Sequence, residues 1–502
     1  RDKIISYYLM ASSKRIDFDI LKLRAYGKNR SALINLKTFD MNLNDCRLIP
    51  FNDSSYVFAY PKHDSVVSIK KNRDMVFDAK ILCGRMDMYG DKFNFKYDSF
   101  YIIAKKLDTM KINIPDGDKK DIYGNEVTVA LTSKIENIKG KIEINNTINK
   151  SGRIPLFYYP RLTTYAPCFV YYDLPSNNGG IYKRDKFYFE IKPFVQDSLL
   201  KFDPVSLFYD GKLVTANIFP DIPQRLLIQE DLSLGFVNTT PVEGLPTYQG
   251  RGNFTGDIKL NNKGLNGKGT LVFQTTTIQT DSMIFFPERS LAIAKDLKMK
   301  EQREKGKVEF PEVESKKSAI DWRPYKDSMV IRSTDTNSFK MYRGITSMNG
   351  SLLLSSKGLL GSGSLDWSEA SVSSNLMRFK SHIMDADTAA LQIKTLDGDK
   401  VTFKTPNVKA KIDFFERIGN FKSNTLEIST DFAYNQYKAF LNEFNWDIDK
   451  KILDFKAPPG SDGAIFQSTH PNQDSLQFKA KRGAYNLLTS IIKCEGVEEI
   501  KV

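Results

Sequence analysis

Residues 256–269 read Gly-Asp-Ile-Lys-Leu-Asn-Asn-Lys-Gly-Leu-Asn-Gly-Lys-Gly, and residues 350–363 read Gly-Ser-Leu-Leu-Leu-Ser-Ser-Lys-Gly-Leu-Leu-Gly-Ser-Gly. The glycines of the two stretches correspond one to one at a constant offset of 94 residues. Repetition at a fixed offset is typical of a chain built from copies of one supersecondary unit. We therefore expect the two copies to fold alike, with Gly264 and Gly358 at equivalent turns before strands.

Apolar and more polar residues alternate along much of the chain, as at 93–97 (Phe-Asn-Phe-Lys-Tyr) and 187–191 (Phe-Tyr-Phe-Glu-Ile). Residues two apart share one face of a strand, so this pattern is typical of a sheet with one face on a core. Short strands between Gly, Asn and Asp turns predict an all-β fold, made of repeated antiparallel β-sheet units or a β-solenoid or β-taco-like array, with few short helices. The helical candidates lie near 290–305, 434–443 and 484–493.

The pair Asp-Ser followed by a large apolar residue recurs at irregular spacing, for example at Asp281–Met283 and Asp327–Met329. A polar pair that leads into alternating apolar and polar residues is a simple way to enter a sheet from a turn. We therefore interpret each Asp-Ser pair as the beginning of a strand.

Two changes of composition suggest domain boundaries. The stretch 151–172 contains Pro155, Pro160 and Pro167, which lack the N–H group that a sheet ladder needs. The stretch 295–317 carries fourteen charges in twenty-three residues, which indicates a charged helical or flexible insertion. The predicted segments are an N-terminal β unit at 1–150, a middle β unit with the first glycine repeat at 151–294, the insertion at 295–317, and a C-terminal β-repeat unit at 318–502 that is truncated at its end.

The chain has 502 residues and a formal net charge of +13, from 73 Lys and Arg against 60 Asp and Glu. The basic residues form no stripe, since even the stretch 295–317 mixes both signs, so we expect no nucleic-acid partner. The longest apolar runs are far shorter than the roughly 20 residues of a membrane-spanning helix, and we expect no transmembrane segment. Because the sequence begins at Arg1 without a Met or a signal core, we interpret it as an internal piece of a longer, processed protein.

Four cysteines, at positions 46, 83, 168 and 494, are scattered along the chain without a C-x-x-C pair. This arrangement excludes a disulfide scaffold and a structural zinc module, and isolated buried thiols are expected instead. Such low usage of cysteine fits either the cytosol or the periplasm.

The residue patterns favour a protein without catalysis, cofactor or metal. The glycines of 264–269 could cradle a phosphate, but a strand is expected after them rather than a helix, which favours a hairpin. The carboxylates of 116–126 lack EF-hand spacing and indicate a solvated turn. Asp447 and Asp449 could act as acid and base, but alternation with Trp446 favours an exposed strand face. None of the three histidines lies in a nucleophile or metal motif.

The stretch 157–172 holds seven aromatic residues and a single charged residue, Arg161. Tyr and Arg with few other charges are typical of the desolvated centre of an interface, because they bury a large area at low entropic cost. The alternative is that these rings line the local core between two sheets. The candidate partner-binding residues are Phe157, Tyr158, Tyr159, Arg161, Tyr165 and Tyr171.

Two alternating stretches, 407–413 and 444–450, resemble the stacked-strand repeats of the OstA/LptA periplasmic superfamily, over about the last third of the chain. Together with the stretches 183–189 and 233–238 and the glycine repeat, the whole chain resembles large β-rich periplasmic proteins of Bacteroidetes, in particular the plug-subunit family of the type IX secretion translocon.

The resemblance implies a periplasmic protein, associated with the outer membrane, that acts without catalysis as a plug or scaffold subunit of a secretion translocon. Its partner would be an outer-membrane β-barrel translocon protein. Two alternatives stay open. One is an OstA/LptA-like carrier of lipid or lipopolysaccharide, with an open β-groove for acyl chains, and the other is a hydrolase that depends on carboxylates.

Overall fold

The computed structural model shows a chain of β-strands joined by short turns. It describes residues 3–6, 9–14, 20–26, 31–52, 55–63, 66–334, 336–395, 400–425, 429–457, 460–474 and 476–502, with side chains from residue 23 onward. Within these ranges the helical content is four 3-10 turns, at Asn178–Gly180, Pro204–Ser206, Pro324–Lys326 and Pro471–Gln473. The prediction of an all-β chain of repeated antiparallel units is confirmed. Among the described residues, no helix combines the length and the hydrophobicity that crossing a membrane would require.

The first twenty-two strands, in chain order, are β1 (Lys3–Ser6), β2 (Leu9–Lys14), β3 (Ile20–Ala25), β4 (Ala32–Asn35), β5 (Met41–Asn44), β6 (Ile49–Pro50), β7 (Val57–Pro61), β8 (Val66–Ile69), β9 (Met75–Cys83), β10 (Met86–Lys96), β11 (Tyr101–Lys120), β12 (Glu126–Ala130), β13 (Ile135–Glu143), β14 (Arg161–Thr164), β15 (Cys168–Tyr171), β16 (Phe187–Ile191), β17 (Val195–Gln196), β18 (Phe208–Thr215), β19 (Ile222–Ile228), β20 (Leu234–Thr239), β21 (Leu245–Thr247) and β22 (Gly252–Asn261). The others are β23 (Gly264–Phe273), β24 (Thr276–Phe286), β25 (Arg289–Met299), β26 (Val313–Ser315), β27 (Ser318–Arg323), β28 (Ser328–Arg332), β29 (Phe339–Met341), β30 (Thr346–Ser355), β31 (Gly358–Asp366), β32 (Ala370–Phe379), β33 (Ile383–Lys394), β34 (Val401–Asp413), β35 (Ile418–Ser423), β36 (Thr430–Phe432), β37 (Tyr437–Ala439), β38 (Glu443–Asp447), β39 (Ile452–Lys456), β40 (Ala464–Ser468), β41 (Gln477–Ala480), β42 (Arg482–Asn486), β43 (Ile491–Glu495) and β44 (Ile500–Lys501).

The chain divides into two compact units. Unit 1 comprises Arg1–Asn238 and Ile258–Leu265, and unit 2 comprises Thr239–Asp257 and Asn266–Val502. Within each unit, successive strands pair antiparallel, as in the series β9, β10, β11 and β13 of unit 1 and the series β30 to β34 of unit 2. Neighbouring strands in such a series are joined by short turns, so most pairing is local in sequence.

Long strands in each unit belong to two ladders at once. In unit 2, β34 pairs with β35 through Val408–Asp413 and with β36 through Phe403–Lys404. From there one ladder continues through β38, β39, β42 and β43, and the other through β37, β40, β41 and β44. In unit 1, β9 pairs with β8 at Met75–Val76 and with β7 at Ala79–Cys83. Each such strand therefore connects two stretches of sheet.

Pairs of exposed residues interrupt the alternation inside several long strands. In β10, the buried positions alternate up to Gly90 and resume at Phe93, with Asp91 and Lys92 exposed between them. The ladder register shifts at the same place. Similar exposed pairs stand at 105–106 in β11, 281–282 in β24 and 387–388 in β33. Two successive outward residues reverse the phase of the alternation, so a strand can bend at a bulge and still bury both of its halves. We call these positions corners.

A side-chain hydroxyl, buried at Thr280 and half-buried at Ser374, satisfies the backbone at the corner of each repeat copy. The Oγ1 atom of Thr280 accepts a hydrogen bond from the N–H group two residues later at 3.1 Å, and it lies 2.9 Å from the Ile293 carbonyl oxygen. Ser374, which follows by 94 residues, makes the same 3.1 Å bond and lies 2.6 Å from the Thr388 carbonyl oxygen. The bulged backbone is therefore held by the same chemistry in both copies.

Glycines allow close backbone approach at the other strands of the repeat. Gly350 and Gly363 lie opposite each other in the β30–β31 ladder, with φ angles of 138° and 141°. A Cβ atom on Gly350 would lie 2.1 Å from the Ser362 carbonyl oxygen, and one on Gly256 would lie 2.3 Å from the Lys268 carbonyl oxygen. Any side chain at these positions would overlap backbone, which explains why glycine occurs there in both copies.

The two copies of the repeat have the same strand arrangement. β22, β23 and β24 begin 94 residues before β30, β31 and β32, respectively. Gly264 and Gly358 are the first residues of β23 and β31, each directly after a two-residue turn. The sequence prediction that both glycines follow equivalent turns and precede strands is confirmed.

The three helical candidates are wrong, since all three stretches form strands and turns. In 290–305 the cause is a corner. The phase reversal in β25 places the buried residues Ala294 and Leu297 three positions apart, a spacing that is also typical of a helix. The interpretation of Asp-Ser pairs holds at 327–328, where Ser328 begins β28, but at 281–282 the pair lies in the middle of β24 as a corner.

The charged stretch 295–317 contains the end of β25, a loop, and β26. Within the loop, the backbones of Gln302 and Phe310 exchange two hydrogen bonds of 3.0 and 3.1 Å. The Phe310 side chain is buried. An apolar anchor and a closed backbone bridge thus hold the centre of this charged loop.

The cysteines are free thiols, as the sequence predicts. Cys46, Cys83 and Cys168 are buried, and Cys494 is half-buried. Burial raises the pKa of Cys168 to about 12 and the pKa of Cys494 to about 11. Because the thiolate is the reactive form, we expect these groups to be inert at neutral pH.

The corner hydroxyls lead to a stability prediction. Thr280→Val keeps the shape of the side chain but leaves the bulged backbone groups without their partner, so we expect a loss of about 1–3 kcal/mol in the free energy of unfolding. Thr277→Val, at a half-buried position on the same strand, is the matched control and should cost less than about 0.5 kcal/mol. Calorimetric unfolding of both variants checks the prediction, and equal losses would contradict the role assigned to the corner hydroxyl.

Glu369 in unit 2 leads to a pH prediction. Burial alone would raise the pKa of this carboxyl, but hydrogen bonds from Ser368, Arg417 and Lys451 outweigh burial and lower the pKa to about 2. The Arg417 and Lys451 nitrogens lie 2.7 and 3.2 Å from Glu369 Oε1. Because the folded-state pKa lies below the unfolded value of about 4.3, the stabilisation is complete above that pH and is lost as pH falls from about 4.3 towards 2.

We expect Glu369→Gln to remove this acid-side dependence, which amounts to about 1–2 kcal/mol after allowance for solvent screening. Unfolding of the wild type and of the variant, measured between pH 2 and 6, checks it. If both lose stability equally over that range, Glu369 is not responsible for the acid sensitivity of unit 2.

Candidate partner-binding surface

The predicted partner-binding residues differ widely in exposure. Phe157, Tyr158 and Tyr165 expose 85%, 72% and 59% of their surface. Tyr159, Arg161 and Tyr171 are half-buried. All six residues belong to unit 1. The first three leave aromatic rings in solvent, an exposure that packing of a hydrophobic core does not explain.

The aromatic loop, residues 156–160, has exposed side chains on a fixed backbone. The Ser198 hydroxyl donates to the Phe157 carbonyl oxygen at 2.7 Å, and the Ser198 N–H group donates to the Tyr158 carbonyl oxygen at 3.2 Å. The Leu199 N–H group donates to the Pro160 carbonyl oxygen at 3.1 Å. A partner that docks on Phe157 and Tyr158 would therefore meet rings on an ordered backbone, and the entropic cost of docking is small.

The turn between β9 and β10 contacts Leu199, the residue whose N–H group bonds the aromatic loop. The Arg85 N–H group donates to the Leu199 carbonyl oxygen at 2.9 Å. Gly84 has a φ of 58°, and a Cβ atom there would lie 2.2 Å from the same oxygen. Glycine is therefore required at position 84 for this approach of the two backbones.

A cleft of about 710 Å³ lies beside the aromatic loop, and its lining includes Leu156 and Phe157. The Arg85 side chain, which is only 11% exposed, also lines the cleft. Its guanidinium donates to Glu126 Oε2 at 2.7 Å and to the Phe202 carbonyl oxygen at 2.6 Å. The volume is in the range of roughly 300–1,000 Å³ that is usual for ligand sites. The cleft combines an apolar wall with one nearly buried, paired cation.

Arg161 pairs within unit 1. Its Nε atom lies 2.7 Å from Asp197 Oδ1, and each side chain is 41% exposed. Arg161 is the first residue of β14, and Asp197 directly follows β17, which pairs with β14. A partner that uses Arg161 would share or replace this ion pair, so the residue is less available than Phe157 and Tyr158.

Tyr171 belongs to a separate group of rings on β15 and β16. Its ring centroid lies 6.1 Å from that of Phe169 and 6.3 Å from that of Tyr188, and the Arg184 guanidinium lies 4.3 Å from it. Burial raises the pKa of Tyr171. These contacts are internal to unit 1, and Tyr171 does not line the cleft beside the aromatic loop.

The structure also exposes aromatic and apolar residues that the sequence analysis missed. Tyr56 is 59% exposed and lines the cleft together with Arg85 and Glu126. Ile122 and Tyr123, at the tip of the β11–β12 turn, are 91% and 82% exposed. These residues come from chain segments far apart in sequence, and only exposure, which follows from folding, identifies them.

Asp447 and Asp449, the carboxylates considered for catalysis, each have their own cation. Asp447 ends β38, but Asp449 lies in the turn that follows, so the expected shared strand face is wrong. Asp447 Oδ2 lies 2.9 Å from Lys450 Nζ, and hydrogen bonds from the Lys450 backbone and side chain lower the pKa of Asp447. Asp449 Oδ1 lies 2.5 Å from Arg417 Nε. The lowered pKa of Asp447 is the opposite of what a general acid needs. The described residues also bring together no group of three or more His, Cys, Asp and Glu side chains fit for a metal.

A Ser-His-Asp arrangement occurs in unit 2, at the turn between β32 and β33. Ser381 Oγ lies 3.0 Å from His382 Nδ1, and His382 Nε2 lies 3.5 Å from Asp413 Oδ2. Ser381 Oγ also lies 2.9 Å from Glu309 Oε2, which as a carboxylate can only accept. Glu309 therefore competes with His382 for the single hydroxyl proton of Ser381, whereas nucleophilic catalysis needs that proton to pass to the histidine.

The different exposures of Tyr172 and Tyr158 predict different losses of stability when each is replaced by alanine. Tyr172 is 1% exposed, and its hydroxyl donates to the Leu234 carbonyl oxygen at 2.9 Å. We expect Tyr172→Ala to destabilise unit 1 by about 3–5 kcal/mol and Tyr158→Ala by less than about 0.5 kcal/mol. Thermal unfolding followed by circular dichroism compares them. A large loss for Tyr158→Ala would return the aromatic loop to the core.

No model of a known protein family matches this chain, and no curated protein matches it in sequence.

Proposed function

We propose that the protein is a non-enzymatic structural subunit of a periplasmic assembly at the outer membrane, and that it binds its partner through the aromatic loop. The observation that carries this proposal is the combination of exposed rings and anchored backbone at Phe157 and Tyr158. Aromatic residues on an ordered loop beside a cleft are typical of the centre of a binding surface.

The resemblance of the chain to plug subunits makes an outer-membrane β-barrel translocon protein the proposed partner, with this chain as plug or scaffold. The repeat architecture supports a scaffold role. Repeated units joined through antiparallel ladders are typical of proteins that work by contact along their surface.

The packing of unit 2 favours this role over that of an acyl carrier. Such a carrier needs an open apolar channel. In unit 2, Trp367 and Trp446 are in ring contact at 6.2 Å, and Phe403 and Phe444 at 5.2 Å, and all four side chains are buried. Side chains therefore fill the space that an acyl chain would occupy at these levels.

The test is Phe157→Ala combined with Tyr158→Ala in the intact protein, with recovery of outer-membrane β-barrel protein on affinity isolation from the envelope as the measurement. We expect recovery to fall by about tenfold or more, because removal of exposed aromatic anchors from an interface costs about 2 kcal/mol or more. The melting temperature should change little, since neither side chain packs in a core.

Phe415→Ala combined with Tyr434→Ala is the matched control, because these rings are 70% and 67% exposed in unit 2. The control variant should recover the partner as well as the wild type does. Undiminished recovery by the aromatic-loop variant, or an equal loss by both variants, would contradict the proposed binding surface.

A further inference from the structure

Strand β12 forms a hairpin with the end of β11, and its turn is closed locally. The Asp121 carboxylate accepts hydrogen bonds from the Tyr123 and Asn125 N–H groups, each at 2.8 Å. Along the hairpin, Asn113 lies opposite Ala130 and Ile114 lies opposite Val129. The carboxylate of the turn is thus used by its own backbone.

The register of this hairpin shows which backbone groups of β12 face outward. The Leu131 N–H group donates to the Ile112 carbonyl oxygen at 2.8 Å, so positions 131 and 129 face β11. In an antiparallel ladder the residues between them point their N–H and C=O groups to the other side. Thr128 and Ala130 therefore present their backbone groups at the outer edge of β12.

That outer edge is open in the described part of the chain, where β12 pairs with β11 and with no other strand. At position 132 the ladder is already used, because the Thr132 N–H group donates to the Leu232 carbonyl oxygen at 2.9 Å. The sequence of β12, Glu-Val-Thr-Val-Ala, has neither the lysine nor the proline that usually protect an edge. It has instead two valines and a threonine, which favour strand pairing.

The open edge lies at the cleft beside the aromatic loop. Glu126 and Thr128 line this cleft, as do Leu156 and Phe157. A strand laid along β12 would pair with its backbone groups and place alternate side chains near the apolar wall. Such a pairing uses the two features that the cleft combines, unpaired backbone and exposed apolar surface.

We propose that β12 is the acceptor strand for an extended peptide segment of the partner, which adds to its edge by backbone hydrogen bonds and places apolar side chains at alternate positions against Leu156 and Phe157. This inference rests on the proposed function and names the mode of binding. A peptide is favoured over a second copy of this chain, because Thr128 lies in a cleft lined also by Leu156 and Phe157, and a cleft admits a single extended strand more readily than a folded domain. A volume of about 710 Å³ suits a short strand.

The test begins with selection of binders to the wild-type protein from a library of linear, cysteine-free dodecapeptides. The strongest binder is synthesised in three versions. One is unmodified, one carries N-methyl groups on its even-numbered amides, and one carries them on its odd-numbered amides, so each methylated version loses one set of ladder donors and keeps every side chain. We expect the unmodified peptide to bind and to protect the outward amides of Thr128 and Ala130 from hydrogen exchange. One of the two N-methylated versions should bind at least about tenfold more weakly.

The matched protein variants are Thr128→Pro and Thr128→Val. Proline removes only an outward N–H group and spares the ladder with β11, so peptide binding should fall by about tenfold or more. Valine keeps the backbone donor, so Thr128→Val should bind the peptide clearly more tightly than Thr128→Pro. Hydrogen exchange of β11 in the Thr128→Pro protein verifies that the hairpin has folded.

Three results would overturn the proposal: no enriched peptide, binding that tolerates both sets of N-methyl groups, or binding that tolerates Thr128→Pro. The outcome separates from that of the proposed function. If the aromatic-loop variant loses the outer-membrane partner while Thr128→Pro retains it, the binding surface stands and strand addition is wrong. If Thr128→Pro alone loses the partner, β12 is an acceptor and the aromatic rings are not anchors.

Discussion

The period of two along a β-strand is the constraint on which the rest of this structure depends. A strand that bends from one stretch of sheet into another would turn half of its apolar residues outward if the alternation continued unbroken. Two exposed residues in succession, such as Asp91 and Lys92 in β10, reverse the phase and keep both halves buried. The polar pair therefore has a structural function at the corner, and charge at these positions is required by solvent exposure rather than by a ligand.

The same constraint explains what could be predicted from the sequence and what could not. Alternation is local, so the all-β class follows from it directly. A corner is invisible to a search for period two, because it joins two alternating runs of opposite phase. In β25 it separates Ala294 and Leu297 by three positions, which imitates a helix, and in β24 it makes Asp281 and Ser282 resemble a strand beginning. Asp281 and Ser282 have no Gly, Pro or Asn beside them, whereas Pro324 shortly precedes Asp327 and Ser328, so in these two cases the neighbouring residues separate a corner from a strand beginning.

Only part of the candidate site could be predicted from the sequence. The composition of 157–172 indicated an interface, and the exposed rings of Phe157 and Tyr158 agree with that indication. The cleft beside them could not be predicted, because its lining comes from the β9–β10 turn, from β12 and from the aromatic loop. Pairing across long sequence separations brings these segments together, and no short motif records such pairing.

The corners also bear on where this protein can bind. Since phase reversal directs the apolar residues of both strand halves to the interior, side chains such as Ile278 and Phe285 of β24 are buried on either side of the corner in unit 2. Because side chains fill this interior, we propose that binding uses features at the surface that the ladders leave incomplete. An exposed ring on an anchored loop offers area, and an unpaired strand edge offers direction and register. The cleft of unit 1 has both, because Phe157 and Thr128 line it. A partner that packed only against the aromatic rings would leave the backbone groups of the β12 edge unpaired, although these groups give direction and register.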